Sequence, residues 1–155
     1  MNKTNAARIL DRLKIDYELI EYTVDEADLS AIHLAESAGI PISKVYKTLV
    51  LEGDKNGYFV CVIPGGEAID LKKTALVSSN KKVAILKMKE LEPLTGYIRG
   101  GCSPLGMKKD FPVYIDTAAL EHEFIYISGG VRGLQIKIPP AGLILACKAT
   151  EVSLT

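Results

Sequence analysis

Three short stretches of the sequence hold residue types that could do chemistry. The first contains Lys47, within Val45-Tyr46-Lys47-Thr48-Leu49-Val50-Leu51. If this run is a strand, alternation sets Lys47 on the same face as Leu49 and Leu51. An ammonium on an apolar face must either snorkel to water or meet an anion. A phosphate or an ester oxygen of a ligand would be such a partner, with the lysine as an electrostatic clamp. A lysine that opens a strand and reaches solvent fits the same pattern. The second stretch, Gly96 to Gly106, packs four glycines and a proline into eleven residues around Arg99, Gly100, Gly101, Cys102, Ser103 and Pro104. Paired glycines bring backbone N–H groups close to a ligand and can form a nest for an anion or a carbonyl; a purely structural loop has the same composition. Lys108 and Lys109 just beyond favour a phosphate-bearing ligand. The third stretch, Ser128-Gly129-Gly130-Val131-Arg132-Gly133-Leu134-Gln135, puts an arginine at a strand–turn–strand unit and, taken alone, is a plain hairpin.

The familiar catalytic sets are missing. His33 falls in an expected helix and His122 in an acidic turn, without the spacing of a metal site. The three cysteines, Cys61, Cys102 and Cys147, show no paired spacing, so neither zinc nor a disulfide framework is implied. A Cys102–His pair has no local signature. No GxGxxG or GxxxxGK[ST] opens a helix, which removes the dinucleotide and P-loop readings. No cofactor and no metal is expected. Whatever the reaction, the chain advertises neither a nucleophile nor a general base.

The elements that must position these groups are readable from caps and periodicity. Thr4 caps a first helix with Ala6, Ile9, Leu10 and Leu13 on one face. Tyr17–Tyr22 alternates as a strand. Ser30 caps a helix through Ala38 that ends at Gly39. Lys47–Glu52 and Tyr58–Ile63 form a hairpin across Gly53-Asp54-Lys55-Asn56-Gly57. Asp70 caps a helix to Ser78; a short strand Lys82–Leu86 and a short helix Lys87–Leu94 follow. Pro112–Asp116, Glu123–Ser128 and Leu134–Ile138 are strands, Pro140–Cys147 a helix, and a short strand ends the chain. Hairpins interrupted by helices favour an α+β (mixed α/β) fold with one bent, mixed sheet, in a single domain spanning residues 1–155.

At 155 residues the chain can bury one hydrophobic core without staples. Lysine plus arginine equals aspartate plus glutamate at 19 each, which argues against non-specific coating of nucleic acid. Yet Lys72 to Lys109 holds nine basic residues and two acids, a local bias suited to a partner with localised phosphates, or to a merely solvated face. The N-terminal stretch has no signal-peptide pattern and no apolar run approaches a membrane span, so the cytoplasm is the expected compartment, with neither membrane nor DNA as partner.

At the three stretches the sequence resembles the YbaK/EbsC group of the prolyl-tRNA editing superfamily. The matching motifs are VYKTLV, AIDLKK, TGYIRGGCSPLGMKK and IYISGGVRGLQI, in family order and across nearly the whole chain. The resemblance implies a six- or seven-stranded mixed sheet and deacylation of mischarged tRNA, chiefly cysteinyl-tRNA(Pro), with cysteinyl-tRNA(Cys) as a further substrate. It puts the essential lysine at Lys47 and the ester-contacting glycine loop at Gly100 and Gly101. Substrate contacts fall on Tyr22, Ser30, Thr48, Cys102, Ser103, Ser128 and Gln135. Lys72, Lys73, Lys108, Lys109 and Arg132 are expected along the CCA end and acceptor stem, with prolyl-tRNA synthetase as a possible docking partner. Two positions depart from the enterobacterial pattern: Gln135 replaces a hairpin aspartate, and Ser30, beside Leu29, replaces a phenylalanine. The resemblance also implies that the cysteine's own thiol attacks the ester, a step that needs orientation rather than a protein base. Two other readings stay open: a non-catalytic binder of nucleotides or aminoacyl-tRNA, and an editor of another ester such as alanyl-tRNA(Pro).

Overall fold

The computed structural model describes residues 3–155. Helix α1 (Asn5–Arg12) starts where the Thr4 hydroxyl accepts the Ala7 N–H at 3.3 Å. The same hydroxyl donates to the Gly129 carbonyl at 2.6 Å, tying the helix start to a distant hairpin turn. The helix stops at Arg12, so Leu13, expected on its apolar face, is left 48% exposed. Strand β1 is shorter than its alternation suggested, Glu18–Glu21. Helix α2 (Ala31–Ala38) is capped by Ser30 and ends in left-handed Gly39.

The central hairpin is β2 (Tyr46–Gly53) and β3 (Gly57–Pro64). Helix α3 (Leu71–Val77) follows, with the Lys72 and Lys73 N–H groups accepted by the Asp70 carboxylate, then β4 (Val83–Ile85) and α4 (Met88–Thr95). The glycine-rich segment runs without regular structure to β5 (Val113–Asp116). Strands β6 (Ile125–Ser128) and β7 (Leu134–Ile138) make the second hairpin, and α5 (Pro140–Cys147) leads to β8 (Thr150–Val152).

The fold is mixed α+β, as the sequence pattern implies. The sheet arrangement is finer than expected. Among the described residues eight strands, not six or seven, divide into two hydrogen-bonded sheets, ordered β4-β2-β3-β5-β8 and β1-β7-β6. A single parallel bridge, Val45 to Tyr126, links them at the start of β2. The largest core cluster draws on both sheets, with Val50, Val62, Ile115, Ile127 and Ile136 among its buried residues. The opposite face of β2–β3 packs Leu51, Phe59, Cys61 and Ile63 with Leu154, and Ile69 and Val77 lie against them. Because β4 covers β2 only from Leu51 to Gly53, the first half of β2 lies on an open edge between the two sheets.

Candidate active site

A cleft of about 600 Å³ opens along that edge. Five consecutive residues of β2, Tyr46 to Val50, line it. Neighbours in a strand point to opposite faces, so a cleft touching all five must run against the strand's edge rather than against one face. The first turn of α2 and its approach form one wall, and β4 with α4 forms another. Gly65 lets the α2 wall close: a Cβ there would sit 2.6 Å from the Ala31 Cβ and 3.1 Å from the Val45 carbonyl.

Lys47 is half-buried in this cleft, and burial alone lowers its pKa below the usual lysine value. Among the described residues it has no ion-pair partner: the cleft's carboxylate, Glu67, lies beyond ion-pair distance. An ammonium held this way is a poised site for an anion.

Gly100 faces Lys47's cleft from the glycine-rich loop. It is left-handed at φ 84°, and a Cβ would come within 3.3 Å of Leu29 Cδ2 and of Arg132 Nε, so only glycine fits without strain. Its N–H donates no hydrogen bond within the described residues. Gly101 differs. It is buried outside the cleft lining, and its N–H donates to the Ile98 carbonyl at 3.0 Å, so it cannot serve as a second free donor in this arrangement. Its role is close packing: a Cβ would lie 3.1 Å from the Arg132 backbone nitrogen.

The remaining expected residues divide clearly. Thr48, Cys102, Ser128, Gln135 and Ser30 line the same cleft. Ser128 and Gln135 face each other across β6–β7. Gln135 is 1% exposed, with its Oε1 unpartnered, and the Thr48 hydroxyl is likewise buried without a partner. Ser30 spends its hydroxyl on the His33 N–H as the cap of α2, and the apolar contact with Gly100 comes from Leu29 instead. Cys102 is no nucleophile, because burial pushes its thiol up to about 12.

Tyr22 and Ser103 are outside the cleft lining. Tyr22 donates its N–H to Gly133 in the hairpin turn, and Ser103 is fully buried, its hydroxyl accepting the Leu105 N–H at 3.2 Å. Lys72, Lys73, Lys108 and Lys109 also lie away from it. Lys73 donates to the Thr155 carbonyl at 2.7 Å, Lys108 to the Pro93 carbonyl at 3.4 Å, and Lys109 lines a separate hollow of about 500 Å³. Arg132 is a brace: its Nε donates to the Arg99 carbonyl at 2.8 Å and its Nη1 meets Glu26 at 2.6 Å.

Three features were not legible beforehand. Arg99, which the glycine-rich stretch contains but to which the sequence assigned no role at the site, lines the cleft; Glu67 stands at the cleft as well; and Ile85, Leu86, Met88 and Leu91 form an apolar wall. The one available signal was the position of Arg99 next to Gly100 in sequence.

Residues 26–145 match the aminoacyl-tRNA editing domain. EbsC of Enterococcus faecalis, provisionally named a Cys-tRNA(Pro)/Cys-tRNA(Cys) deacylase, is 49% identical over 92% of this chain and 87% of its own. The proline–tRNA ligase of Fervidobacterium nodosum is 28% identical over 79 residues, 51% of this chain but 14% of the ligase. The crystal structure of a candidate trans-editing enzyme for prolyl-tRNA synthetase superposes with a TM-score of 0.83 over 100% of this chain and 99% of that one, at 22% identity, a likeness of fold. The profile match alone spans most of the sequence, and the chain belongs to the aminoacyl-tRNA editing domain family.

Proposed function

We propose that this protein is a trans-acting, single-domain deacylase that clears cysteine from tRNA(Pro), and from tRNA(Cys) as a second substrate, in the cytoplasm. The observation that carries this reading is the unpaired Lys47 ammonium sharing one cleft with the free Gly100 N–H. Lys47 and Arg99 hold the phosphate and ribose of the terminal adenosine, and Gly100 donates to the ester carbonyl. Neither histidine is in the cleft lining, and the Cys102 thiol stays protonated, so the nucleophile comes from the substrate. The cysteinyl sulfur attacks its own carbonyl carbon. The ester C–O bond breaks, the thiol proton passes to the departing ribose oxygen, and a cyclic thiolactone leaves. Orientation supplies most of the acceleration, and one oxyanion donor is worth about 10²–10³ in rate.

Selectivity then follows from chemistry rather than from pocket size. A methyl-sized difference in an apolar pocket discriminates by only about 1–3 kcal/mol, whereas alanine and proline have no thiol to attack with. The match to part of a proline–tRNA ligase supports a shared substrate and makes that synthetase the natural donor of mischarged tRNA. The test is to incubate the protein with cysteinyl-, alanyl- and seryl-tRNA(Pro), with and without Lys47→Ala. Loss of the cysteinyl ester alone, abolished by the substitution, is the expected result. Preferential loss of the alanyl ester assigns a different specificity, and no turnover of any ester leaves only a binding role.

A further inference from the structure

The open edge of β2 has a polarity that can be read from its neighbours. Leu86 donates to the Val50 carbonyl at 2.9 Å from the β4 side, while Gly65 donates to the Val45 carbonyl from the β3 side. Backbone groups alternate sides along a strand. Lys47 and Leu49 therefore turn their N–H and C=O toward β3, where they pair with Ile63 and Cys61. Thr48 turns both of its groups outward, between the Val45–Tyr126 bridge and the β4 pairing, where neither a ladder nor a bridge includes it. An edge position outside the ladders, with its N–H and C=O pointing out side by side, offers a ligand a donor and an acceptor together, and here it borders the cleft that holds Lys47 and Gly100.

Resting on the deacylase reading above, we propose that the Thr48 main chain binds the aminoacyl group as if it were one residue of an added strand. An aminoacyl ester carries an α-amine and a carbonyl in the same N–Cα–C=O order as a strand residue. Facing Thr48, the α-ammonium donates to the Thr48 carbonyl, and the ester carbonyl accepts from the Thr48 N–H. This gives the oxyanion a second donor beside Gly100, in place of the Gly101 N–H that the Ile98 carbonyl occupies. It also makes the free α-amine a recognised feature of the substrate. Pairing of this kind depends on the substrate's backbone and leaves its side chain free to point at the carbonyl.

Amide hydrogen exchange followed by NMR tests the geometry without turnover. In the free protein the Thr48 N–H exchanges quickly, while those of Lys47 and Leu49, paired to β3, are protected. Adding 3′-deoxy-3′-(cysteinylamino)adenosine, whose amide link resists cleavage, slows exchange at Thr48 by about tenfold or more, the effect of a single new hydrogen bond. Binding that shifts Lys47 and Gly100 without protecting Thr48 would overturn this proposal and leave the deacylase reading intact. No shift anywhere in the cleft would overturn both. Two kinetic measurements support it independently. Thr48→Pro removes only an outward N–H, which an edge position tolerates, so the variant folds with an unchanged circular dichroism spectrum but loses about 10²-fold in kcat; Thr48→Ala, which keeps the N–H, loses much less than Thr48→Pro. An ester of 3-mercaptopropionate on tRNA(Pro) keeps the thiol but lacks the amine, and its kcat/KM falls about 10- to 100-fold below the cysteinyl ester. Equal kcat/KM for the two esters, or a Thr48→Pro variant as active as Thr48→Ala, counts against the proposal.

Discussion

A single side chain sets the pH behaviour of this site. Burial lowers the Lys47 pKa, so the charged form is penalised in the folded state. Between the lowered folded value and the ordinary lysine value the unfolded chain binds more protons, and the contribution of Lys47 to stability therefore rises as pH rises through its folded pKa. Activity moves the other way, because the neutral amine no longer holds a phosphate. We expect kcat/KM for the cysteinyl ester to fall on the alkaline side at a pH below that of an exposed lysine, while thermal stability does not fall with it. A pH series of both quantities checks this. Lys47→Met, which removes the penalty, is expected to raise the melting midpoint at neutral pH by about 1–3 °C while deacylation drops by at least about a hundredfold. A midpoint lowered by the substitution would contradict the cost assigned to the ammonium. Cys102→Ala marks the contrast: a thiol held at about 12 takes no part in the reaction, and the variant is expected to keep deacylase activity within about a factor of three of the parent.

At the scale of elements, the loop from Gly96 to Gly106 is held by contacts to segments distant in sequence. Arg132 reaches from the β6–β7 turn to the Arg99 carbonyl, and the Tyr97 hydroxyl donates to the Leu105 carbonyl. Gly101 lies against the backbone of that same turn, with a would-be Cβ 3.2 Å from the Val131 carbonyl carbon. Backbone cannot retreat as a side-chain tip can, so Gly101→Ala is expected to cost about 1–3 kcal/mol in urea unfolding and to lower kcat by displacing Gly100. Arg132→Ala is expected to act differently. Its partner Glu26 is 71% exposed, so the ion pair itself contributes little to stability. Loss of the bond to Arg99 frees the loop, and kcat is expected to fall while the unfolding midpoint barely moves. Glu26→Gln separates the two contacts and is expected to leave kcat near the parent value.

Seen as a whole, the molecule carries no net charge, and its lysines do not converge. Lys72 and Lys73 lie on α3, Lys109 lines another hollow, and the cations lining the cleft are Lys47 and Arg99. Two phosphate contacts on a single-stranded CCA end give a slope of about −1.4 for log K against log salt. Equilibrium binding of deacylated tRNA(Pro) between low and physiological salt measures it. A much steeper slope would mean that the outlying lysines also bind, and that the acceptor stem lies across them. Lys72→Ala is expected to leave that affinity unchanged.

The sequence by itself determined the elements and the chemical vocabulary. Caps at Thr4, Ser30 and Asp70, the hairpin glycines and the alternation of β2 act over a few residues, and their structures formed where those local preferences pointed. The motif around Gly100 and the position of Lys47 were likewise legible, because each is a short run with its own physical demand. Tertiary structure alone decided which of these groups meet. Residues 47, 100 and 135 come together because a shared core and the bridge at Val45 join the two sheets and leave the β2 edge open. It also decided that Gly101 and Ser103 pack rather than bind, and that Arg132 braces a loop. Partners far apart in the chain claim their hydrogen bonds, and no local pattern records such competition.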